Sequence, residues 1–229
     1  MSAVKAGRVK NTRVLVTGFE AFAVAASNPS GEVVRRLVSV PQPELAEAGV
    51  EVRGVVLPVS YRASGPALME AIAAHAPDVV IALGLADGRS GITPERVAIN
   101  LDDARIPDND GDQPIDAAID DNGPAARFST LPVKAIVAAL TEVGLPASVS
   151  LTAGSFVCNH VAYLVGGAVE RNPGLRGGFM HVPATPDLVP PGSSVPTMTI
   201  DELERGIRLA IITAVQTATD AKVTGGSIH

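Results

Sequence analysis

Cys158 is the first residue to consider for chemistry, because it is the only cysteine among 229 residues. A single thiol cannot form a disulfide within the chain, so it is a small buried residue, a chance surface thiol or a nucleophile. The sequence predicts a strand over residues 147–151, a turn at 152–154 and an apolar helix over about 157–170. The thiol then lies in the first turn of that helix, where the positive end of the helix dipole favours a thiolate.

A cysteine nucleophile needs a base within hydrogen-bonding reach. Of the four histidines, His75 ends a predicted helix and His229 is the last residue. His160 follows Cys158 by two positions, and residues two apart on a helix do not share a face. His181 lies at the end of a predicted buried strand, where an α/β sheet presents its functional side chains. His181 is therefore the favoured base, although the same pattern fits a hydrogen-bonded core histidine.

The base in turn needs a group that orients its ring. Glu95 follows a glycine-rich loop over residues 84–91 and is the candidate for this carboxylate. The alternative is a solvated surface acid paired with Arg96. The loop lacks the lysine and the spacing of a phosphate-binding loop, and Arg89 is its one basic residue, so a phosphate-handling hydrolase is the weaker interpretation.

Strands and helices alternate along the chain. Buried strands are predicted at residues 13–17, 50–59, 78–83 and 177–183, and helices at 30–40, 63–75, 131–140, 157–170 and about 199–219. Ser30 is the predicted N-cap of the first helix and Thr199 that of the last. This alternation predicts one α/β domain over residues 1–229, a three-layer α/β/α sandwich with a mainly parallel, twisted sheet. The polar span 101–127 is predicted to be a functional loop or flap, and residues 1–11 and 221–229 flexible ends.

Composition and charge exclude several classes of protein. The net charge of −6 offers no basic face for nucleic acid or anionic lipid. No apolar run is long enough to span a membrane, and the first residues lack the apolar core of a signal peptide. One cysteine fits a reducing compartment, so a cytoplasmic location is expected. The scattered histidines form no zinc-binding pattern, and neither a metal nor another cofactor is expected.

Several stretches of the sequence resemble pyroglutamyl peptidase type I, the cysteine peptidase that removes an N-terminal pyroglutamate. They occur in the family's order and extend the resemblance over about residues 13–212. They are 16–20 (VTGFE) with Phe22, 92–100 (ITPERVAIN), 103–109 (DARIPDN), 128–132 (FSTLP), 153–160 (AGSFVCNH) and 178–183 (GFMHVP).

The resemblance implies a role for each candidate residue. Cys158 is the nucleophile, His181 the base and then the acid, and Glu95 the group that orients the imidazole. The implied reaction passes through a thioester that water hydrolyses. The backbone N–H of Cys158 and the side chain of Arg105 are two candidates for stabilising the oxyanion, and Arg105 fits equally well as a surface partner of the acidic loop.

The substrate implied by the resemblance is a neutral lactam, which no carboxylate can anchor through an ammonium group. A small flat ring is best held between apolar faces, with a few backbone groups satisfying its N–H and C=O. Phe19 and Phe22 match the family's pocket residues, and core packing is their alternative. Leu85 stands where relatives often have glutamine and would contribute backbone contacts.

The loop around the phenylalanines departs from the family pattern. Ala21 replaces a proline, and Ala23 and Val24 replace glycines, so the loop is expected to hold its aromatic rings differently. A non-catalytic relative that binds pyroglutamyl peptides is therefore kept as the alternative function. The resemblance also suggests a homo-oligomer, a tetramer or a dimer.

Overall fold

The computed structural model describes residues 11–23 and 25–226; the predicted departure at Val24 and most of the predicted flexible amino-terminal end lie outside them. Seven strands follow one another in chain order: β1 (Thr12–Phe19), β2 (Val50–Leu57), β3 (Val79–Leu85), β4 (Thr93–Pro94), β5 (Val97–Ile99), β6 (Ala126–Phe128) and β7 (Arg176–Val182). The α-helices are α1 (Pro29–Ser39), α2 (Pro43–Glu47), α3 (Tyr61–His75), α4 (Val133–Glu142), α5 (Val157–Arg171) and α6 (Ile200–Gln216), and a 3₁₀ helix spans Pro186–Leu188.

The main sheet has five strands in the order β2-β1-β3-β7-β4. The first four are parallel, and β4 is antiparallel to β7 at the edge. Strands β5 and β6 form a separate antiparallel pair. The prediction of a mainly parallel sheet is confirmed.

Side chains that alternate along the central strands divide the core into two layers. In β3, Val79, Ile81 and Leu83 pack with α1, α4 and α6 on one face. Val80 and Ala82 point to the opposite face and pack with α3 and α5. Both faces of the sheet are therefore covered, as a parallel sheet of apolar strands requires. The three-layer α/β/α sandwich and the single domain predicted from the sequence are confirmed.

Two local predictions were wrong. Residues 147–151 make isolated parallel bridges beside β4 and form no strand, because β4 is only two residues long and supports no longer ladder. Ser30 lies inside α1, whereas Asn28 is the N-cap and accepts a hydrogen bond from the Ser30 N–H at 3.1 Å. Pro29 occupies the first helical position, where its missing N–H costs nothing.

The predicted loop 101–127 is fastened to the domain rather than free. Asp102 and Ala117 form an antiparallel bridge within it. The buried side chain of Asn159, on α5, donates hydrogen bonds to the carbonyls of Ile99 and Leu101, both at 2.9 Å. Within the described part of the chain, none of the helices combines the length and the apolar character that crossing a membrane requires.

Candidate active site

The register of the sheet gathers the candidate residues on one face. His181 of β7 lies opposite Gly84 of β3 and opposite Thr93 of β4. The N–H of Glu95, two residues beyond Thr93, donates to the carbonyl of Phe179 at 2.9 Å. Because side chains alternate along strands, His181, Glu95 and the Gly84 position all face the layer that contains α5.

His181 and Glu95 form a buried hydrogen-bonded pair. The Nδ1 atom of His181 lies 2.7 Å from Oε1 of Glu95, and the two side chains are 4% and 2% exposed. A carboxylate only accepts hydrogen bonds, so Nδ1 is the protonated nitrogen and Nε2 is left as the basic one. The ring of Phe179 packs edge-on against the imidazole, with 5.0 Å between centroids. The orientation of the base is therefore fixed on two sides.

Cys158 is the second residue of α5 and is half-buried. A Cβ placed on Gly84 would lie 2.7 Å from the thiol Sγ and 2.7 Å from the ring of Phe179. The thiol therefore rests directly over the backbone of β3, at the residue paired with His181 in the neighbouring strand. Only glycine leaves room for this approach.

The environment of the thiol and the imidazole disfavours their charged forms. Burial raises the pKa of the Cys158 thiol to about 12; the nearby Glu95 charge adds to this effect and the Arg89 charge opposes it. Burial also lowers the pKa of His181, and the hydrogen bond to Glu95 only partly offsets it. In the resting site, burial thus favours the neutral form of both groups, against the helix-dipole effect that the sequence suggested.

A small cavity opens beside the thiol, with a volume of about 200 Å³. This is below the roughly 300–1,000 Å³ of pockets for drug-sized ligands, so it fits a small ring. Its wall is mostly apolar, and the rings of Phe22 and Phe156 are 5.3 Å apart. The lining residues are Phe19, Phe22, Asn28, Val59, Leu85, Asp87, Phe156, Val157 and Cys158.

Phe19 is held firmly at the end of β1. Its N–H donates to the hydroxyl of Ser30 at 3.0 Å, and a Cβ on Gly31 would lie 2.2 Å from its carbonyl oxygen. Phe19 is only 3% exposed and packs in the core as well as lining the cavity. Ala23, one of the departures from the family pattern, has a φ of +52°, the left-handed region that favours glycine.

Arg105 lies apart from the residues that line the cavity. It is exposed and does not line the cavity. Its segment nevertheless runs close to the nucleophile, because the N–H of Asp103 donates to the carbonyl of Ser155 at 3.0 Å. The role of Arg105 in stabilising an oxyanion stays a prediction.

The sequence interpretation missed the ionic partner of Glu95. The salt bridge is made by Arg89, at 3.0 Å, and not by the neighbouring Arg96, which lies 3.5 Å from Asp220. Phe156 was also missed as a wall of the cavity, although its position two residues before the cysteine was a usable signal. Within residues 11–23 and 25–226, no three histidine, cysteine or acidic residues are grouped so that they could hold a metal ion.

A cysteine beside a histidine–carboxylate pair, at the carboxyl end of an α/β sheet, is the arrangement of a thiol-dependent hydrolase. The comparisons give the family within that class. The sequence model described as pyroglutamyl peptidase matches residues 12–217, and the chain belongs to this family of peptidases. The resemblance found in the sequence is confirmed.

Relatives and solved structures agree over nearly the whole chain. A pyrrolidone-carboxylate peptidase from Streptomyces coelicolor is 49% identical over 95% of this chain and 100% of its own. One from Escherichia fergusonii is 47% identical over 94% of this chain and 99% of its own. A crystal structure of pyroglutamyl peptidase I from Bacillus amyloliquefaciens covers 93% of this chain and 100% of its own, with 40% identity and a TM-score of 0.88. A pyrrolidone carboxyl peptidase from Thermococcus litoralis covers 93% and 99%, with 36% identity and a TM-score of 0.87.

Proposed function

We propose that the protein hydrolyses the amide bond after an N-terminal pyroglutamyl residue of peptides, with Cys158 as nucleophile, His181 as base and acid, and Glu95 as the orienting carboxylate. The observation that carries this proposal is the buried His181–Glu95 pair beside a thiol that opens into a small, mostly apolar cavity. The family membership supplies the substrate class, and the cavity fits a neutral five-membered lactam.

The chemistry follows from the neutral resting pair. As Sγ of Cys158 attacks the pyroglutamyl carbonyl carbon, the thiol proton passes to Nε2 of His181. The imidazolium, stabilised by Glu95, then gives this proton to the departing amine as the carbon–nitrogen bond breaks. Water, deprotonated by the same imidazole, cleaves the thioester and returns the thiol.

The oxyanion formed in both steps needs donors aimed at it. The backbone N–H of Cys158 lies in the first turn of α5, where helical N–H groups have no acceptor within the helix. Arg105 is the second candidate donor. Phe19 and Phe22 hold the lactam ring between apolar surfaces, and Leu85, at the end of β3, offers its backbone to the ring's polar groups.

The two rival functions find less support. A binding relative without activity has no reason to keep a cysteine close to a buried, hydrogen-bonded histidine–carboxylate pair. A phosphate-handling hydrolase would need Arg89 for its ligand, but this side chain is already bound to Glu95. We therefore retain the peptidase alone.

The test is release of a fluorescent amine from a pyroglutamyl amide. Wild type is expected to cleave it and to leave a prolyl amide with a free amine intact. Cys158→Ser and His181→Ala are expected to lower kcat by at least about 10²-fold each, because each removes a group that takes part in the proton transfer or the attack. His75→Ala, at the far end of α3, is the matched control and keeps wild-type activity. Cleavage that survives in Cys158→Ser would contradict the proposal.

We further propose a cytoplasmic homo-oligomer, a tetramer or a dimer. A single cysteine is typical of a protein in a reducing compartment. On the small sheet, Ile99 and Phe128 are 38% and 69% exposed, and their strands form one ladder. Such an apolar surface is suited to a contact with a second copy of the chain.

A further inference from the structure

Arg89 contacts the candidate active site through several polar groups, which the sequence did not suggest. One of its guanidinium nitrogens lies 3.0 Å from Oε1 of Glu95 and donates to the hydroxyl of Thr93 at 2.7 Å. A second nitrogen donates to the carbonyl of Thr152 at 2.9 Å. The side chain is only 24% exposed. Three separate segments, the glycine-rich loop, the edge strand β4 and the turn before the nucleophile, are thereby joined through one side chain.

The atom that Arg89 approaches on Glu95 is also the atom that His181 uses. Oε1 lies 2.7 Å from Nδ1 of His181 and 3.0 Å from the guanidinium. A planar guanidinium with several fixed donors holds an acceptor in place better than a single flexible ammonium does. Without Arg89, the position of the Glu95 carboxylate would depend on its hydrogen bond to His181.

The charges around the thiol and the imidazole give a second reason to assign Arg89 a role in the site. Alone, the Glu95 charge would raise the pKa of the Cys158 thiol and that of His181; Arg89 acts in the opposite direction on both groups. Tyr61 faces the thiol from α3 with its pKa raised by burial, so its phenol is neutral there. Asp87 is the remaining charged group on the cavity wall and adds a negative charge.

We propose that Arg89 is a positioning residue of the peptidase reaction, which fixes Glu95 against His181 and offsets the Glu95 charge beside the Cys158 thiol. This inference rests on the proposed function, because it assigns a role within that reaction. It also explains how the effect of the neighbouring Glu95 carboxylate on the ionisation of the Cys158 thiol is partly offset.

While Glu95 keeps its hydrogen bond to His181, the sign of the expected pH effect is the same whichever of the two groups is titrated. If the acidic limb of kcat/KM reports deprotonation of His181, loss of Arg89 raises that pKa and moves the limb to higher pH. If the limb reports ionisation of the thiol, loss of the same positive charge again moves it to higher pH. A change that only loosened the fold would lower activity without moving the limb.

The experiment compares wild type with Arg89→Met, Arg89→Lys and Arg208→Met. Arg208 is the matched control, since it is also ion-paired and 19% exposed but lies on α6, beyond the opposite face of the sheet. In Arg89→Met, kcat/KM is expected to fall at least tenfold and its acidic limb to move up by about one pH unit or more. Arg89→Lys is expected to restore the position of the limb while kcat stays below wild type. Lysine keeps the positive charge but lacks the planar set of donors of the guanidinium. Arg208→Met is expected to change neither.

Two outcomes would overturn the inference. One is an Arg89→Met enzyme with wild-type kinetics, and the other is an activity loss with an unmoved limb. If Arg89→Met does not fold, as judged by circular dichroism, Arg89→Lys decides: a limb displaced in the lysine variant contradicts the charge role. If wild type cleaves no pyroglutamyl amide, the proposed function fails on its own, and alkylation of Cys158 by iodoacetamide still tests Arg89. At about pH 9, the alkylation rate of Arg89→Met is expected to be about tenfold below wild type, and an equal rate overturns the inference.

Discussion

At the level of single residues, the environment of the proposed nucleophile, Cys158, and of the proposed base, His181, disfavours the charged form of each. Most accounts of a reactive cysteine begin from a thiolate, which is the more nucleophilic form. Because burial disfavours the charge on Cys158 and on His181 alike, we expect proton transfer and attack to occur together in the proposed reaction. Binding of the lactam in the proposed pocket and activation of the thiol would then occur in one step.

The pH dependence of alkylation tests this resting state. Because burial raises the pKa of Cys158 to about 12, the rate of reaction with iodoacetamide is expected to rise about tenfold per pH unit from neutral pH upward. The measurement is mass spectrometry of the intact chain, which has one thiol. The protein unfolded in urea is the control, and its rate should level off near about pH 8.5. A plateau already reached below neutral pH in the folded protein would show a resting thiolate–imidazolium pair instead.

Residue type and position in the chain were sufficient to propose three of the four groups that the structure brings together in the candidate site. Cys158 was found because it is the only thiol, and His181 because it ends a buried strand. Arg89 was not found, since a glycine-rich loop suggests ligand binding by the backbone and gives no sign of where its one cation points. The contact with Glu95 depends on the fold of the loop, which sequence spacing does not encode.

At the level of elements, helix α4 is capped by a residue far from it in sequence. The carboxylate of Asp220 accepts hydrogen bonds from the N–H groups of Lys134 and Ala135, both at 3.0 Å. The residue at the helix's own N-cap is Pro132, which makes no side-chain cap. The carboxyl-terminal end predicted to be flexible, residues 221–229, therefore follows directly after a residue that is hydrogen-bonded to α4.

Asp220→Ala is expected to lower the free energy of unfolding by about 1 kcal/mol, within the roughly 0.5–2 kcal/mol range of lost helix caps. The loss has three sources: the unsatisfied N–H groups, the missing negative charge at the start of the helix and the lost ion pair with Arg96. Chemical denaturation of the wild type and the variant measures it. Asp121→Ala, at an exposed position in the loop 101–127, is the control and should stay within about 0.5 kcal/mol of wild type. Equal stability of Asp220→Ala and wild type would show that the cap contributes nothing.

The elements that could be predicted from sequence are those with local signals. The closing helix α6 begins after Thr199, the N-cap that the sequence predicted, and the structure adds a capping box between Thr199 and Glu202. The predicted strand at residues 147–151 failed for a non-local reason. Apolar and polar residues do alternate in this segment. The neighbouring strand, β4, has only two residues and is too short to form a continuous ladder with it. Strand formation depends on the neighbour as much as on the segment itself.

At the level of the whole molecule, the layers were predictable and the strand order was not. Alternating strands and helices require a parallel sheet covered on both faces, whatever the order of the strands. The order β2-β1-β3-β7-β4 decides which strand ends lie side by side, and so brings His181 next to Gly84. The sequence alone contains no local signal for this neighbourhood.

The proposed oligomer is tested by analytical ultracentrifugation. Wild type is expected to sediment as a dimer or tetramer, and Phe128→Asp to sediment as a smaller species, because a charge replaces an exposed ring in an apolar contact. Val40→Asp is the matched control, since Val40 is 60% exposed after the end of α1, away from the small sheet. A monomeric wild type would contradict the oligomer, and an unchanged Phe128→Asp would contradict this location of the contact.

The position of the thiol over Gly84 has a consequence for oxidative damage. Cys158 lines the cavity proposed for the lactam, so a bound substrate or product is expected to shield the sulfur from peroxide, and a protonated sulfur reacts slowly in any case. Once a sulfenic acid does form, the chain has no second cysteine with which it could condense to a disulfide. Reduction of the sulfenic acid then requires a thiol from another molecule, and further oxidation to the sulfinic acid is expected to inactivate the enzyme irreversibly.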